Sequence, residues 1–261
     1  MSVLIHELRQ GWRSLLIWTC AISFMLGVCV LIYPEMSSQM GEISTMFADM
    51  GAFTQAFGMD QLNFGEFMGY FAIECGNTLG LGGALFAAIT ASFSLAKEEK
   101  EHTAEFLLTH PISRTRIVFE KLASVFVQIV FLNLVVAVVC TAAILLIGET
   151  PDASAIALLF LAYLLLQLEI AAIAFALSAF MRSGAMGAGI GMALGLYFLN
   201  IVANLTEKAG FLKYITPFSY TDGAKIVSDL VIPPAYLAVG MGIAAVAVLT
   251  AFLHYRKKDI A

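Results

Sequence analysis

The residues of this chain that resemble a catalytic motif do not complete one. His6-Glu7-Leu8-Arg9-Gln10 begins like the zinc motif H-E-x-x-H, but Gln10 stands where the second histidine ligand is needed. The nucleotide-binding pattern G-x-x-x-x-G-K-[ST] and the nucleophile pattern G-x-S-x-G are both absent. We therefore predict that the chain is not an enzyme and has no catalytic, metal-binding or cofactor-binding residues of its own.

Glu169 is the most conspicuous ionisable residue, because it lies near the middle of an apolar run. An ionised side chain at that depth in a bilayer costs about 3 kcal/mol or more, so Glu169 must be protonated, paired or facing water. One interpretation is structural, with Gln128 or Asn133 as its hydrogen-bond partner. The other makes Glu169 part of a transport pathway. Gln167 is two positions away and points to a different side of the helix.

These residues belong to a chain that is too apolar for a water-soluble core. Hydrophobic residues make up 60% of the 261 positions and charged residues only 13%, and the mean hydropathy is +0.88. A helix needs roughly 20 mostly apolar residues to cross a bilayer. Six runs qualify, at about 15–33, 69–95, 119–147, 155–180, 184–204 and 234–254. We predict an all-α, polytopic membrane protein with six transmembrane helices in a single domain over residues 1–261.

The charged residues indicate how the chain is oriented. Eleven of the 14 Lys and Arg residues flank one side of the six runs, and three flank the other: Lys208, Lys213 and Lys225. This asymmetry predicts cytoplasmic termini in a multi-pass protein of the cell membrane. The net charge of -5 and the lack of a basic stripe argue against nucleic acid as a partner.

The N-terminal residues show a helical apolar pattern before the first run. Leu4, Leu8 and Trp12 recur on one face, and Glu7 and Arg13 are among the polar residues that point elsewhere. This pattern predicts an amphipathic helix that lies in the membrane interface. Membrane lipid is therefore an expected partner.

The segment 97–112, between the second and third runs, combines charge with exposed apolar residues. An acidic stretch is followed by Phe106, Leu107 and Leu108, and Pro111 disfavours a helix at the preceding residue. Ser113 is placed to cap the next helix. Because a charged loop rarely presents consecutive large apolar side chains to water, we predict a short cytoplasmic helix that docks on a partner.

This segment resembles the cytoplasmic loop of ATP-binding-cassette permeases of the second, exporter-like type. His102-Thr103, Glu105, the paired leucines and Pro111-Ile112-Ser113-Arg114 carry the resemblance, although His102 stands where glycine is common. The layout of the whole chain also fits. The resemblance implies a permease that forms the substrate pathway of an exporter, with a separate ATPase that binds ATP and Mg. It places the coupling helix on residues that include Glu98, Glu101, Glu105, Phe106, Leu107 and Leu108.

The fifth run carries small residues at every fourth position, including Gly187, Gly191 and Gly195. Such a ridge lets two helices approach closely in lipid. In the resembling family the first and fifth spans meet across a permease dimer, so we predict that these glycines form a dimer seam with a second chain, identical or paralogous. Packing against another span of the same chain is the alternative.

Two other kinds of protein remain open from the sequence. The first is a stand-alone secondary transporter or channel, which calls for coupling charges or broken helices in duplicated halves, and the sequence contains no such repeat. The second is a membrane scaffold that transports nothing.

Overall fold

Six long apolar helices dominate the fold. The structure is a computed structural model that describes residues 3–49, 51–56, 66–97, 113–181 and 184–258. The stretches long and apolar enough to cross a bilayer, here called spans 1 to 6, are Val3–Ser37, Phe67–Ser94, Arg114–Ile147, Ala153–Phe180, Ala185–Leu205 and Pro234–Lys257. The described residues contain no β-strand. The predicted all-α, polytopic membrane fold is confirmed.

Shorter elements complete the described chain. The helix of span 1 runs on as Val3–Asp49, and Ala52–Ala56 follows it. Span 2 consists of two α-helices, Phe67–Cys75 and Gly82–Ser94, joined by a π-helical stretch, Gly76–Leu81. Between spans 5 and 6 lie two 3₁₀ helices, Glu207–Tyr214 and Pro217–Thr221, and the short α-helix Gly223–Asp229.

The N-terminal segment differs from the expected interfacial helix. It continues into span 1 without a break, and Glu7, expected on a polar face, is buried. The physical reason is that the Glu7 carboxylate contacts Lys97, just after span 2, and Lys121 in span 3. Trp12 keeps the exposure expected of a membrane-facing residue, at 54%.

Local signals account for the helix ends on either side of span 3. Ser113 has an extended backbone, and its side chain accepts a hydrogen bond from the Arg116 amide at 3.3 Å, as predicted for a cap. Span 3 ends at Gly148, whose φ of 76° is the left-handed conformation that favours glycine. Asp152 then caps span 4 by accepting from the Ser154 amide at 2.8 Å.

Span 4 is the central helix of the bundle. It packs against spans 2, 3, 5 and 6, while span 1 packs mainly along span 3. In the most apolar window of each helix, 50% is buried inside the protein for spans 2 and 4, but only 17% for spans 5 and 6. Spans 5 and 6 therefore leave most of their apolar surface to lipid or to another chain.

One end of the bundle collects the basic residues, and we call it the basic end. Glu7 near the start of span 1 meets Lys97 after span 2 and Lys121 in span 3. The Arg114 guanidinium donates to the Lys258 carbonyl at 2.7 Å, and Lys258 Nζ donates to the Ala179 carbonyl at 2.9 Å. The beginning and the end of the described chain thus lie at the same end of the bundle.

The connection between spans 5 and 6, at the opposite or far end, folds back into the bundle. The Thr216 hydroxyl donates to the Leu196 carbonyl at 2.8 Å. Leu196 lies nine residues inside the end of span 5, a rise of about 13 Å. Tyr220 is fully buried, whereas Phe211 is 64% exposed. The connection therefore contains a re-entrant segment, Glu207–Asp229.

Candidate functional site

A buried ion cluster lies at the basic end of spans 1, 2 and 3. The Glu7 carboxylate accepts from Lys97 Nζ at 2.5 Å and from Lys121 Nζ at 2.7 Å, with its two oxygens divided between the two lysines. Lys97 also donates to Gln10 Oε1 at 2.6 Å, and Lys121 to the Ser94 carbonyl at 2.9 Å. The exposed fractions of the Lys97, Glu7 and Lys121 side chains are 8%, 9% and 0%, so water screens this cluster little.

The cluster connects the two helices between which segment 98–112 lies. Lys97 is the last described residue before that segment, and Lys121 lies on the helix that follows it. Glu7 forms ion pairs with both lysines. The residues before the segment and the helix after it are therefore both linked to the start of span 1. A second contact in the same place reinforces this, because the Leu4 amide donates to Glu120 Oε2 at 3.1 Å.

The predicted coupling residues themselves lie outside the described residues. Glu98, Glu101, Glu105, Phe106, Leu107 and Leu108 all fall within 98–112. Their role stays a prediction.

Glu169 is buried against the re-entrant segment and span 6. It is 1% exposed, and the Tyr220 hydroxyl donates to its Oε2 at 2.9 Å. Burial, with the carboxyl beside it, raises the pKa of Tyr220, so the phenol keeps its proton and donates. A Cβ at position 240 would overlap the Glu169 carboxyl group, so Gly240 makes room for it. Within the described chain, Glu169 Oε1 has no hydrogen-bond partner and no basic residue pairs with the carboxyl.

The structural partners expected for Glu169 are engaged elsewhere. Asn133 Nδ2 donates to Gln167 Oε1 at 2.6 Å, and Gln128 Nε2 donates to the Ser124 carbonyl at 3.3 Å. Neither Gln128 nor Asn133 is therefore the partner of Glu169, and that expectation is wrong. Gln167 faces spans 2 and 3, because it also donates to the Leu79 carbonyl at 3.1 Å. Gln167 and Glu169 do point to different sides of span 4.

The predicted seam glycines face away from the rest of the described chain. A Cβ added at Gly187, Gly191 or Gly195 would have no atom within 4 Å, whereas one at Gly189 would overlap Ser92. The small-residue ridge therefore does not pack against another described span. Its surface is open to lipid or to a second chain.

A polar cavity of about 90 Å³ lies at the far end, between spans 2, 4 and 5 and the re-entrant segment. Its polar lining includes three asparagines, two tyrosines, two lysines and one aspartate: Asn77, Asn200, Asn204, Tyr163, Tyr197, Lys213, Lys225 and Asp222. The π-helical stretch of span 2 begins at its wall with Gly76 and Asn77. π-helical turns inside α-helices are frequent at functional sites.

Sequence reasoning missed the ion cluster, the cavity and one further carboxylate. Glu74 lies inside span 2, half-buried, with Cys29 Sγ 3.5 Å from its Oε2. The available signal was the same as for Glu169, namely polar residues inside apolar runs. Lys121, Glu74 and Asn77 each stand at such a position.

Six apolar helices with charged groups at one end and polar contacts in the interior define a multi-pass membrane protein. A comparison with protein families identifies it further, since the model described as ABC-2 family transporter protein matches residues 1–260. The chain belongs to this family and is an ABC transporter permease, which confirms the resemblance found in the sequence. None of the curated proteins gives a match.

Proposed function

We propose that the chain is the transmembrane subunit of an ABC exporter and is driven by a separate ATPase through segment 97–112. The family match supports the permease role. The observation that carries the coupling role is the ion cluster. Glu7 ties Lys97, the first residue of segment 97–112, and Lys121, on the helix that follows the segment, to span 1. A displacement of the segment would then be transmitted to spans 1, 2 and 3 together.

In this mechanism the permease performs no bond chemistry. Two ATPase subunits bind ATP and Mg and dimerise, and their closure moves the coupling segments of two permease chains. ATP binds to the ATPase subunits. It can shift the complex between inward-open and outward-open states only if its affinity for the ATPase differs between those two states. The exporter direction follows from the resemblance of the segment to exporter-like permeases.

The dimer is proposed to form along the ridge of Gly187, Gly191 and Gly195. A Cβ built at any of these positions would have no atom of another described element within 4 Å, which supports an intermolecular role. Helix association in lipid depends on close backbone approach, which glycine permits. The partner is a second permease chain, of the same or a paralogous sequence.

The basic end is proposed to face the cytoplasm of a cell membrane. Nine of the eleven basic residues expected inside are among the described residues, and Lys97, Lys121, Arg114 and Lys258 make their contacts at the basic end. Positive residues are retained on the cytoplasmic side of membranes. Both ends of the chain would then be cytoplasmic, on the side where the ATPase binds.

Glu169 remains a candidate pathway residue. The hydrogen bond from Tyr220 gives it a structural role, and its second oxygen has no partner within the described part of the chain. A carboxyl group with one open acceptor position is able to contact a polar or cationic cargo. The structural role is the one that the Tyr220 contact supports.

The coupling proposal is tested by charge changes within the segment. Leu107→Asp and Glu105→Lys are each expected to leave the permease inserted in the membrane, but to reduce co-purification with the ATPase and abolish ATP-driven transport, because they alter the docking surface. Glu149→Lys is the matched control, since it makes the same charge reversal in the turn before span 4. Normal transport by both segment variants would contradict the proposal. So would ATP hydrolysis by the purified permease alone.

A further inference from the structure

The cavity at the far end reaches well into the apolar depth of the bundle. Asn77 is exposed, although it lies ten residues inside span 2 from Phe67, a rise of about 15 Å, half the thickness of a hydrocarbon core. A polar amide at this depth needs water or a polar ligand. Asn77 lines the cavity together with Asn200, whose buried Oδ1 has no hydrogen-bond partner in the described part of the chain.

The charges around the cavity do not balance. Lys225 lies 3.8 Å from Asp222, which offsets its charge. Lys213 also lines the cavity and forms no ion pair with another described residue. The site therefore carries one uncompensated positive charge, and this charge is partly shielded from water because Lys213 is half-buried.

The side chains that line the cavity include several hydrogen-bond donors, together with one buried unpaired acceptor, Asn200 Oδ1, which water or a hydroxyl of the ligand would have to satisfy. Lys213, Lys225, the amides of Asn77 and Asn200 and the phenols of Tyr163 and Tyr197 supply the donors, whereas the Asn204 amide already donates to the Ala56 carbonyl at 3.4 Å. Asp222 accepts from the Ala224 amide through Oδ1 at 3.1 Å and has Oδ2 3.8 Å from Lys225. A cavity of about 90 Å³ is roughly three times the 30 Å³ that one water takes in the liquid. It is large enough for a small charged group and too small for a whole lipid.

We propose that this cavity binds an anionic, oxygen-bearing group, such as a phosphate, with Lys213 as its principal charged contact. The group enters from the far end, either as the head group of an anionic lipid or as a free anion. If the transport proposed above is correct, this is where the charged head of an amphiphilic cargo is held. Binding itself requires only the permease chain, so the test does not depend on the ATPase.

The experiment measures the thermal unfolding midpoint of the purified permease in two arms. In detergent, inorganic phosphate is titrated at constant ionic strength, with chloride as the balancing anion. In lipid nanodiscs, phosphatidylglycerol replaces phosphatidylcholine stepwise. Saturable stabilisation by phosphate identifies a free anion as a sufficient ligand, whereas stabilisation by phosphatidylglycerol alone identifies a lipid head group. Either result supports the proposal, and no saturable effect in both arms overturns it.

Variants then locate the binding site. Lys213→Gln is expected to weaken the saturable effect about ten-fold or more, because a hydrogen bond to a charged group is lost. Asn77→Ala removes a neutral donor and is expected to weaken it about three-fold. Lys208→Gln is the control, since Lys208 is an exposed cation of the same segment that does not line the cavity. Equal losses for Lys208→Gln and Lys213→Gln would overturn the proposal and indicate general surface electrostatics.

Discussion

Replacing Glu7 by glutamine tests the ion cluster at the basic end. The change preserves the shape of the side chain and removes the one carboxylate that both lysines share. Removing one partner of a buried ion pair typically costs about 3–5 kcal/mol, because the remaining charge is left buried without compensation. Solvent does little to reduce this cost, since the Lys121 side chain is 0% exposed and that of Lys97 is 8% exposed. We therefore expect Glu7→Gln to lower the free energy of unfolding by about 3 kcal/mol or more.

The assay is unfolding of the purified permease in mixed micelles of increasing denaturing detergent. Arg13→Gln is the matched control, because it removes an exposed charge from the same helix and should change stability by no more than about 0.5 kcal/mol. The double variant Glu7→Gln/Lys121→Met restores the net charge of the cluster. It should therefore be less destabilised than the sum of the two single variants. An unchanged stability for Glu7→Gln, or strictly additive losses, would refute the reasoning.

Four further expectations concern the interior polar contact and the glycine ridge. Glu169→Gln keeps an acceptor for Tyr220, so assembly and stimulated ATP hydrolysis should stay within a few-fold of wild type; loss of transport in an assembled, ATP-hydrolysing complex would show that the charge is required. Tyr220→Phe leaves the buried carboxyl without its donor and should cost about 1–3 kcal/mol in unfolding free energy, an expectation that an unchanged unfolding midpoint would contradict. Gly240→Val should reduce the yield of folded protein because its Cβ overlaps Glu169, whereas the control Gly242→Val meets open space; equal yields would rule out the overlap. Gly191→Leu should leave the monomer folded but weaken the dimer, and crosslinks that place this face away from the second chain would exclude the seam.

The helices could be predicted from the sequence because their determinants are local. Runs of apolar residues long enough to cross a bilayer specify six spans, and Ser113, two residues after Pro111, specifies where span 3 begins. The contacts of the ion cluster could not be predicted in this way. Glu7 is separated from Lys97 and Lys121 by 90 and 114 positions, and its partners depend on how three helices pack.

The partner predicted for Glu169 was wrong for the same reason, namely that the contact depends on how the helices pack. Asn133 and Gln128 were reasonable partners by depth, because they lie in a neighbouring span. Depth alone does not tell which face of span 4 turns toward which neighbour. The actual donor, Tyr220, belongs to the re-entrant segment, whose inward fold has no simple sequence period.

Polar contacts have a special role in a bundle whose helices are apolar on every side. A helix in lipid gains little by turning one apolar face inward rather than another, because lipid chains are as apolar as leucine. Gln167 with Asn133, and Glu169 with Tyr220, supply the missing preference for span 4, since an unpaired polar group in lipid is costly. Glu7 supplies the corresponding preference for which face of span 1 turns inward. Rotating span 1 would leave the two buried lysines without their shared carboxylate, which is costly. Polar residues inside the apolar runs therefore mark which faces are interior, which is the part of the packing that a sequence alone can reveal.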